Sequence, residues 1–212
     1  MRQLHPGSAS SRVFLLSPAY CGGRRATFLL KRDATLPLAV RLREGTLTLG
    51  EAFSFMSGLY FRGKLTYASQ FAAEADDCLV ITPTRGLQPP SLLVSVALIE
   101  EFAKTDIAAA DLGYRAPLER DLAALVSRLP PASRVVLLGS IASDKYVDVL
   151  RPALGARLHY PISFVGRGDM SRGGLLLRQA ANGQELEYVP LDAAATRRGA
   201  RPPKLEPLTG RR

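Results

Sequence analysis

Short apolar runs recur along the chain and alternate with segments whose apolar residues have helical spacing. Three of these runs are bounded by turn residues and rich in aliphatic side chains, a pattern typical of buried strands. They are Arg12–Leu16 (RVFLL), residues 78–82 (CLVIT) and Arg134–Leu138 (RVVLL). Weaker signals at residues 156–160 and 162–165 predict two further strands.

The last apolar segments predict a closing hairpin. Residues 175–177 and 186–189 are short apolar runs, and Asn182-Gly183 between them is a dipeptide that favours a tight turn. The Gly- and Arg-rich sequence before residue 175 is therefore expected to lead into a strand.

Four segments have the apolar spacing of amphipathic helices. They cover residues 62–73, 91–104, 117–129 and 144–154. Ser91 is the expected N-cap of the second helix and Pro117 suits the first turn of the third, whereas Pro152 is expected to end the fourth. Strands that alternate with helices predict an α/β fold of three layers, with a mainly parallel central sheet flanked by helices.

The domain organisation follows from the same pattern and from composition. Residues 12–192 are expected to form a single α/β domain, preceded by a disordered lead over residues 1–11. Residues 193–212 form a basic tail rich in Pro and Arg.

Four loops are expected to meet at one edge of the sheet. Right-handed crossovers place the loops that follow the three main strands at the carboxyl edge, where open α/β sheets bind ligands. Those loops span residues 17–25, 83–87 and 139–146, and residues 167–172 are placed beside them. The candidate ligand-binding residues in the four loops are Tyr20, Gly22, Thr84, Arg85, Gly139, Ser140, Lys145, Arg167, Ser171 and Arg172.

Lys64 and Tyr67 are two further candidates. They lie three residues apart and are therefore neighbours on one face of the predicted helix. They either reach a ligand from that face or belong to its surface.

Two carboxylates are candidates for acid–base chemistry. Asp144 lies beside Lys145, and Asp169 lies between Arg167 and Arg172. Neighbouring cations lower the pKa of a carboxyl group, which favours an ionised base or an electrostatic stabiliser. The alternatives are that Asp144 caps the helix that follows it and that Asp169 only holds the arginines in place.

Motifs of several common classes of binding and catalytic site are absent from the sequence. The sequence contains no P-loop and no six-residue dinucleotide glycine fingerprint. Its two histidines stand beside no convincing nucleophile, so a Ser-His-Asp triad is not expected and His159 is interpreted as structural. Cys21 lies in a basic loop that would lower the pKa of its thiol, and Cys78 is interpreted as packing. No metal site and no cofactor are expected.

Charge indicates the class of partner. The net charge of +9 favours an anionic partner, nucleic acid or nucleotide first, and the arginine-rich tail would also suit an acidic protein. Two cysteines give no disulfide framework, and the N-terminal sequence lacks a secretory pattern. A cytoplasmic protein without a membrane partner is expected, and the oligomeric state is left open.

The order of the motifs resembles the uracil-DNA-glycosylase-like superfamily, in a form similar to small bacterial domains related to the central domain of archaeosine synthase. The segments that carry the resemblance are residues 17–23 (SPAYCGG), 59–68 (LYFRGKLTYA), 80–87 (VITPTRGL), 135–140 (VVLLGS) and 159–174 (HYPISFVGRGDMSRGG). The superfamily's first loop carries a water-activating Asp and a Pro-Tyr stacking pair. Here Tyr20 is placed to stack, whereas Pro18 and Ala19 stand near the position of the missing carboxylate. The resemblance therefore implies a base- or nucleotide-sized pocket rather than uracil excision.

Two hypotheses about function follow. The first is a nucleic-acid- or nucleotide-associated protein with a base and phosphate pocket, acting by N-glycosidic bond or base-modification chemistry. Under this hypothesis the ring of Tyr20 stacks on a base, and Asp144 or Asp169 is the catalytic carboxylate. The arginines expected to bind phosphate are Arg85, Arg167 and Arg172. The second is a non-enzymatic DNA- or RNA-binding module that uses a basic face and the tail.

Overall fold

A computed structural model of the protein describes residues 12–192 and 195–205. Within those residues the strands form one six-stranded sheet in the order β3-β2-β1-β4-β5-β6. The strands are β1 (Arg12–Leu16), β2 (Cys78–Ile81), β3 (Leu87–Gln88), β4 (Arg134–Leu138), β5 (Leu158–Pro161) and β6 (Tyr188–Pro190). β2, β1, β4 and β5 run parallel, and the edge strands β3 and β6 are antiparallel to their neighbours. The predicted α/β fold with a mainly parallel sheet is confirmed.

Helices cover both faces of the sheet. They are α1 (Arg24–Leu30), α2 (Pro37–Arg43), α3 (Leu49–Ser57), α4 (Leu59–Phe71), α5 (Val96–Lys104), α6 (Leu112–Arg128), α7 (Asp144–Leu154) and α8 (Asp169–Asn182). Alternate side chains of β1 enter different cores: Phe14 and Leu16 pack in the core under α1–α5 and α8, whereas Val13 and Leu15 pack in the core under α6 and α7. Because β1 is buried on both faces, its sequence is a continuous apolar run.

The predicted closing hairpin is wrong. Residues 175–177 lie inside α8, which ends where Gly183 adopts a left-handed conformation with φ of 63°. β6 pairs with β5, not with residues 175–177. Glycine lowers helix propensity, and the two consecutive glycines before residue 175 therefore weakened the helix signal in the sequence.

Several helix boundaries also differ from the sequence expectation. The N-cap of α5 is Ser95 rather than Ser91, and α6 begins at Leu112, so that Pro117 lies inside it. Asp111 caps α6 by accepting hydrogen bonds from the two main-chain amides of Gly113 and Tyr114. Pro117 is the sixth residue of α6, so the helix accommodates a proline in its second turn at the loss of one main-chain hydrogen bond, and the proline does not mark the first residue.

Two other segments were interpreted incorrectly. α7 continues past Pro152 to Leu154, and residues 162–164 form a 3-10 helix instead of a strand. α2 lies in a segment for which the sequence predicted no element. The predicted disordered lead lies outside the described residues.

α4 and α8 approach each other at two glycines. A Cβ atom on Gly63 would lie 2.6 Å from the main-chain oxygen of Gly173, and one on Gly173 would lie 2.7 Å from the oxygen of Leu59. Neither position has room for a side chain, so the two helix backbones are in direct contact. This contact fixes the N-terminus of α8 over the sheet edge. Among the described residues, no helix has the length and apolar character required to cross a membrane.

Candidate functional site

A cavity of about 410 Å³ lies where the loops after β1, β2 and β4 meet the N-terminus of α8. The predicted convergence of these loops at the carboxyl edge of the sheet is present in the structure. The lining includes four residues that the sequence singled out, Tyr20, Ser140, Lys145 and Asp169. Other polar residues in the lining are Ser17, Arg24, Arg25, Ser57, Tyr60, Thr105, Asp106 and Tyr146.

The loop after β1 is anchored to the neighbouring strand. The amide of Ser17 donates a hydrogen bond to the oxygen of Leu138 over 3.2 Å, which extends the β1–β4 ladder by one residue. A Cβ atom on Gly139 would lie 3.0 Å from the Cβ of Ser17. Gly139 therefore leaves the space that Ser17 occupies, and Ser17 is held at the base of the cavity.

Tyr20 projects from the same loop with 78% of its surface exposed. Its side chain lies over the two glycines that follow. A Cβ atom on Gly22 would lie 2.7 Å from the hydroxyl oxygen of Tyr20, and one on Gly23 would lie 3.4 Å from the ring. The glycines therefore allow the ring to lie across the loop at the mouth of the cavity. This conformation presents one aromatic face at the entrance.

Lys64 lies directly beneath the β1 loop and is fully buried. Its Nζ donates to the main-chain oxygen of Ser17 over 2.5 Å and lies 2.8 Å from the Ser17 Oγ. The rings of Tyr60 and Phe61 lie on its other side, with centroids 4.4 Å and 4.9 Å from Nζ. Burial lowers the pKa of Lys64 to about 7; nearby Asp169 opposes this shift, and the positive charges of Arg172 and Lys145 add to it.

Asp169 and Arg172 stand one turn apart on α8. The carboxylate of Asp169 is exposed and 3.5 Å from the guanidinium of Arg172, a separation that makes a weak ion pair. Arg172 is buried, donates from Nε and Nη2 to the oxygen of Phe164, and lies over the Phe164 ring. Arg172 therefore fastens α8 to the loop after β5, and Asp169 is left at the cavity wall.

Asp144 is separated from the cavity lining. Ser143, not Asp144, is the N-cap residue of α7, so the expectation that Asp144 caps that helix is wrong. The Asp144 carboxylate instead accepts a hydrogen bond from Arg197 of the tail over 2.7 Å. Arg197 also donates to the oxygen of Ile141, and Arg198 donates to the oxygen of Ala142.

The remaining predicted site residues lie elsewhere. Thr84 and Arg85 both donate hydrogen bonds to Glu101 of α5, and Arg85 forms a bidentate salt bridge with that carboxylate. Arg167 and Ser171 are hydrogen-bonded to each other and line a second groove, which the described tail residues 201–205 cover.

Tyr67 belongs to the core. It is fully buried, and its hydroxyl lies 2.5 Å from the hydroxyl of Tyr188 and accepts from the amide of Leu186. Although Lys64 and Tyr67 are neighbours on α4, tertiary packing directs them to different surroundings.

The thiol of Cys21 differs from the sequence expectation. Cys21 lines the cavity but is buried, and burial raises its pKa to about 12 instead of lowering it. Such a thiol is a poor nucleophile. Burial likewise raises the pKa of Cys78 to about 12. The Nδ1 of His159 is hydrogen-bonded to the oxygen of Arg157, and among the described residues no group of His, Cys, Asp and Glu side chains could hold a metal ion.

Sequence reasoning missed several polar residues of the cavity. Ser17 is the first residue after β1, a position that the carboxyl-edge rule would have selected. Tyr146 lies in the predicted loop 139–146 but was not chosen from it, whereas Tyr60 on α4 and Asp106 in the loop after α5 follow from no local pattern.

The chain was compared with known proteins at three levels. No family model, curated protein or solved structure matches it.

Proposed function

We propose that the cavity binds a nucleobase with its sugar and phosphate, and that the protein cleaves or exchanges the N-glycosidic bond of this ligand. The observation that carries the proposal is the composition of the cavity lining, which combines the exposed ring of Tyr20 with three cationic side chains, Arg24, Arg25 and Lys145. An aromatic face stacks on any base, and cations bind phosphate.

The size of the cavity supports the same ligand class. Its volume of about 410 Å³ lies at the lower end of the range of roughly 300–1,000 Å³ found for small-molecule sites. The lining combines apolar side chains with few charged ones, as such sites do. Among the described lining residues the cations outnumber the carboxylates, Asp106 and Asp169, which favours an anionic ligand.

Asp169 is the favoured catalytic carboxylate. Cleavage of a glycosidic bond develops positive charge on the sugar, and an ionised carboxylate stabilises that charge. Asp169 lines the cavity, whereas Asp144 is hydrogen-bonded to Arg197 outside the lining. The structure therefore favours Asp169 over Asp144 within the proposal.

The binding step is tested with the four common ribonucleoside 5′-monophosphates and isothermal titration calorimetry. Loss of one stacking contact costs about 1–3 kcal/mol, so Tyr20→Ala is expected to weaken binding by roughly 5- to 150-fold. Leu93→Ala is the control, because Leu93 is also a large exposed apolar residue but is outside the cavity lining. Equal loss in both variants, or no binding to the wild type, would contradict the proposal.

The chemical step is tested by following release of free base by chromatography. Asp169→Asn is expected to reduce the rate by at least about 100-fold while the calorimetric affinity changes little. Asp144→Asn is the control and should retain nearly full rate. If the two variants lose activity equally, Asp169 does not have the proposed role.

A further inference from the structure

We infer that Ser17 is a nucleophile activated by Lys64, and that it accepts the acyl group of a carboxylic ester bound in the cavity. This goes beyond the proposed function, because acyl transfer to Ser17 requires no nucleobase. It rests on the geometry of Ser17, Lys64 and Tyr60.

The contact between Ser17 and Lys64 suits proton transfer. Nζ lies 2.8 Å from Oγ, the distance of a strong hydrogen bond. A neutral lysine amine can donate one hydrogen to the main-chain oxygen of Ser17 and accept the hydroxyl proton of the same residue on its lone pair. After it takes the proton, the ammonium can donate to both oxygens and face the ring of Tyr60. The neutral amine and the ammonium of Lys64 therefore both have hydrogen-bond partners.

The surroundings of Lys64 favour the neutral amine needed for a general base. Among the described residues no carboxylate lies within ion-pair distance of Nζ, and the side chain is fully buried. Across the site it faces Asp169 and Arg172 of α8 and Lys145 of α7, of which only Asp169 favours the charged form. With its pKa near 7, a large fraction of Lys64 is neutral at neutral pH.

Ser17 is held in place at the base of the cavity. It lines the cavity but is itself buried, and its amide is fixed by Leu138. Besides Lys64, its hydroxyl has two neighbours, the oxygen of Leu138 at 3.4 Å and the side chain of Tyr146. A serine paired with a lysine is one of the recurring arrangements that activate a hydroxyl.

Tyr60 supplies a donor for the developing oxyanion. It lines the cavity and is buried, and among the described residues its hydroxyl makes no hydrogen bond of good geometry, although the side chain of Arg172 lies close enough to interact with it. Buried hydroxyls rarely lack a partner, so an unpaired one at a cavity wall indicates a ligand atom. Burial raises the pKa of Tyr60, which keeps the hydroxyl protonated and able to donate, although the charge of Arg172 opposes this shift.

The reaction balances with the ester and water as the reactants. Oγ of Ser17 forms a bond to the carbonyl carbon of the ester while its proton passes to Nζ of Lys64. The bond from that carbon to the alcohol oxygen then breaks, and Lys64 returns the proton to the leaving oxygen. Water then attacks the carbonyl carbon of acyl-Ser17 while Lys64 takes one of its protons. The bond from that carbon to Oγ breaks, Lys64 returns the proton to Oγ, and the carboxylic acid leaves.

The probe for this inference is p-nitrophenyl acetate, with nitrophenolate release followed by absorbance and the acetylated residue identified by mass spectrometry of the intact protein and its peptides. We expect one acetyl group on Ser17 and a rate that rises with pH to a plateau, with a midpoint near the Lys64 pKa of about 7. Ser17→Ala is expected to abolish this modification, and Lys64→Met to slow it by roughly 100-fold or more. Ser127→Ala, which removes an exposed serine outside the lining, should react like the wild type.

Three outcomes would overturn the inference: no acetyl group on Ser17, equal labelling in Lys64→Met, or a wild-type rate without a midpoint near neutral pH. Thermal unfolding checks that the variants fold, and the pH profile of the wild type tests the inference without any variant. Because the probe contains no nucleobase, failure of acetylation leaves the nucleotide titrations unaffected, and the converse also holds.

Discussion

Lys64 is the residue with the most unusual environment in the described structure. A buried ammonium without a carboxylate loses its hydration, and among the described residues two oxygens of Ser17 and the rings of Tyr60 and Phe61 replace the water. Proteins rarely bury a lysine in this way unless it has a functional role, since an apolar side chain of the same length would avoid the free-energy cost of removing the amine from water. This is a reason to test its contribution to stability separately from its contribution to chemistry.

The stability of the protein should depend on pH through Lys64. In the unfolded chain this lysine has its ordinary pKa of 10.5, whereas burial lowers the value in the folded protein to about 7. Between these values the unfolded state binds more protons, so the free energy of unfolding rises with pH. Relative to Lys64→Met, the wild type should gain up to about 1.4 kcal/mol per pH unit above pH 7 and show no further change below it.

Urea unfolding of both proteins at several pH values measures this effect. Comparison with Lys64→Met cancels the contributions of the buried tyrosines and cysteines, which titrate at alkaline pH in both proteins. Parallel stability curves for the two proteins would show that Lys64 has an ordinary pKa.

At the scale of elements, the contact between α4 and α8 positions both sides of the cavity. α4 carries Tyr60 and Lys64, and α8 carries Asp169 at its first turn. The helices meet where Gly63 and Gly173 bring the backbones together. The spacing of these helices therefore sets the distance between the buried amine and the carboxylate of the cavity wall.

Gly173→Ala should destabilise the protein, because its methyl group would lie 2.7 Å from the oxygen of Leu59. Overpacking of this kind costs about 1–3 kcal/mol, which thermal unfolding detects as a lower Tm. Gly174→Ala is the matched control on the next residue, where the added methyl group meets only a side-chain carbon of Leu205 at 3.6 Å. That variant should be neutral or up to about 1 kcal/mol more stable, since alanine favours the helix. Equal Tm values for the two variants would show that the α4–α8 contact is loose.

At the scale of the molecule, the basic tail accounts for much of the charge. Residues 193–212 contain six of the 28 cationic residues and one of the 19 acidic ones. In the described part of the tail, Arg197 and Arg198 donate to main-chain oxygens of the loop after β4, and Tyr160 donates to the oxygen of Thr196. These contacts hold part of the tail against the domain next to the cavity.

Removal of residues 193–212 separates the two hypotheses about function. If the pocket binds a nucleotide through Tyr20 and Lys145, nucleoside monophosphate affinity should change by less than about 10-fold, which corresponds to about 1.4 kcal/mol. If the protein is a non-enzymatic DNA- or RNA-binding module, affinity for a short DNA duplex should fall steeply, together with its dependence on salt. Fluorescence anisotropy of the duplex at several salt concentrations, with nucleotide titrations beside it, measures both quantities.

The sequence by itself determined the parallel core of the sheet and the edge at which its loops meet. β1, β2 and β4 are apolar runs between turn residues, and parallel connectivity alone brings the loops that follow them together. Tyr20, Ser140 and Lys145 were identified from their positions in those loops and Asp169 from the segment 167–172 beside them, and all four line the cavity.

Tertiary structure decided the chemistry of the site. Ser17 and Lys64 are 47 residues apart, and their contact exists only because α4 packs beneath the β1 loop. α8 contains Gly173 at the point where α4 approaches it, a tertiary contact that local helix propensity cannot encode. Burial of Lys64 and Cys21 shifted their pKa values in directions that neighbouring residues in the sequence did not indicate, because desolvation depends on the surrounding fold.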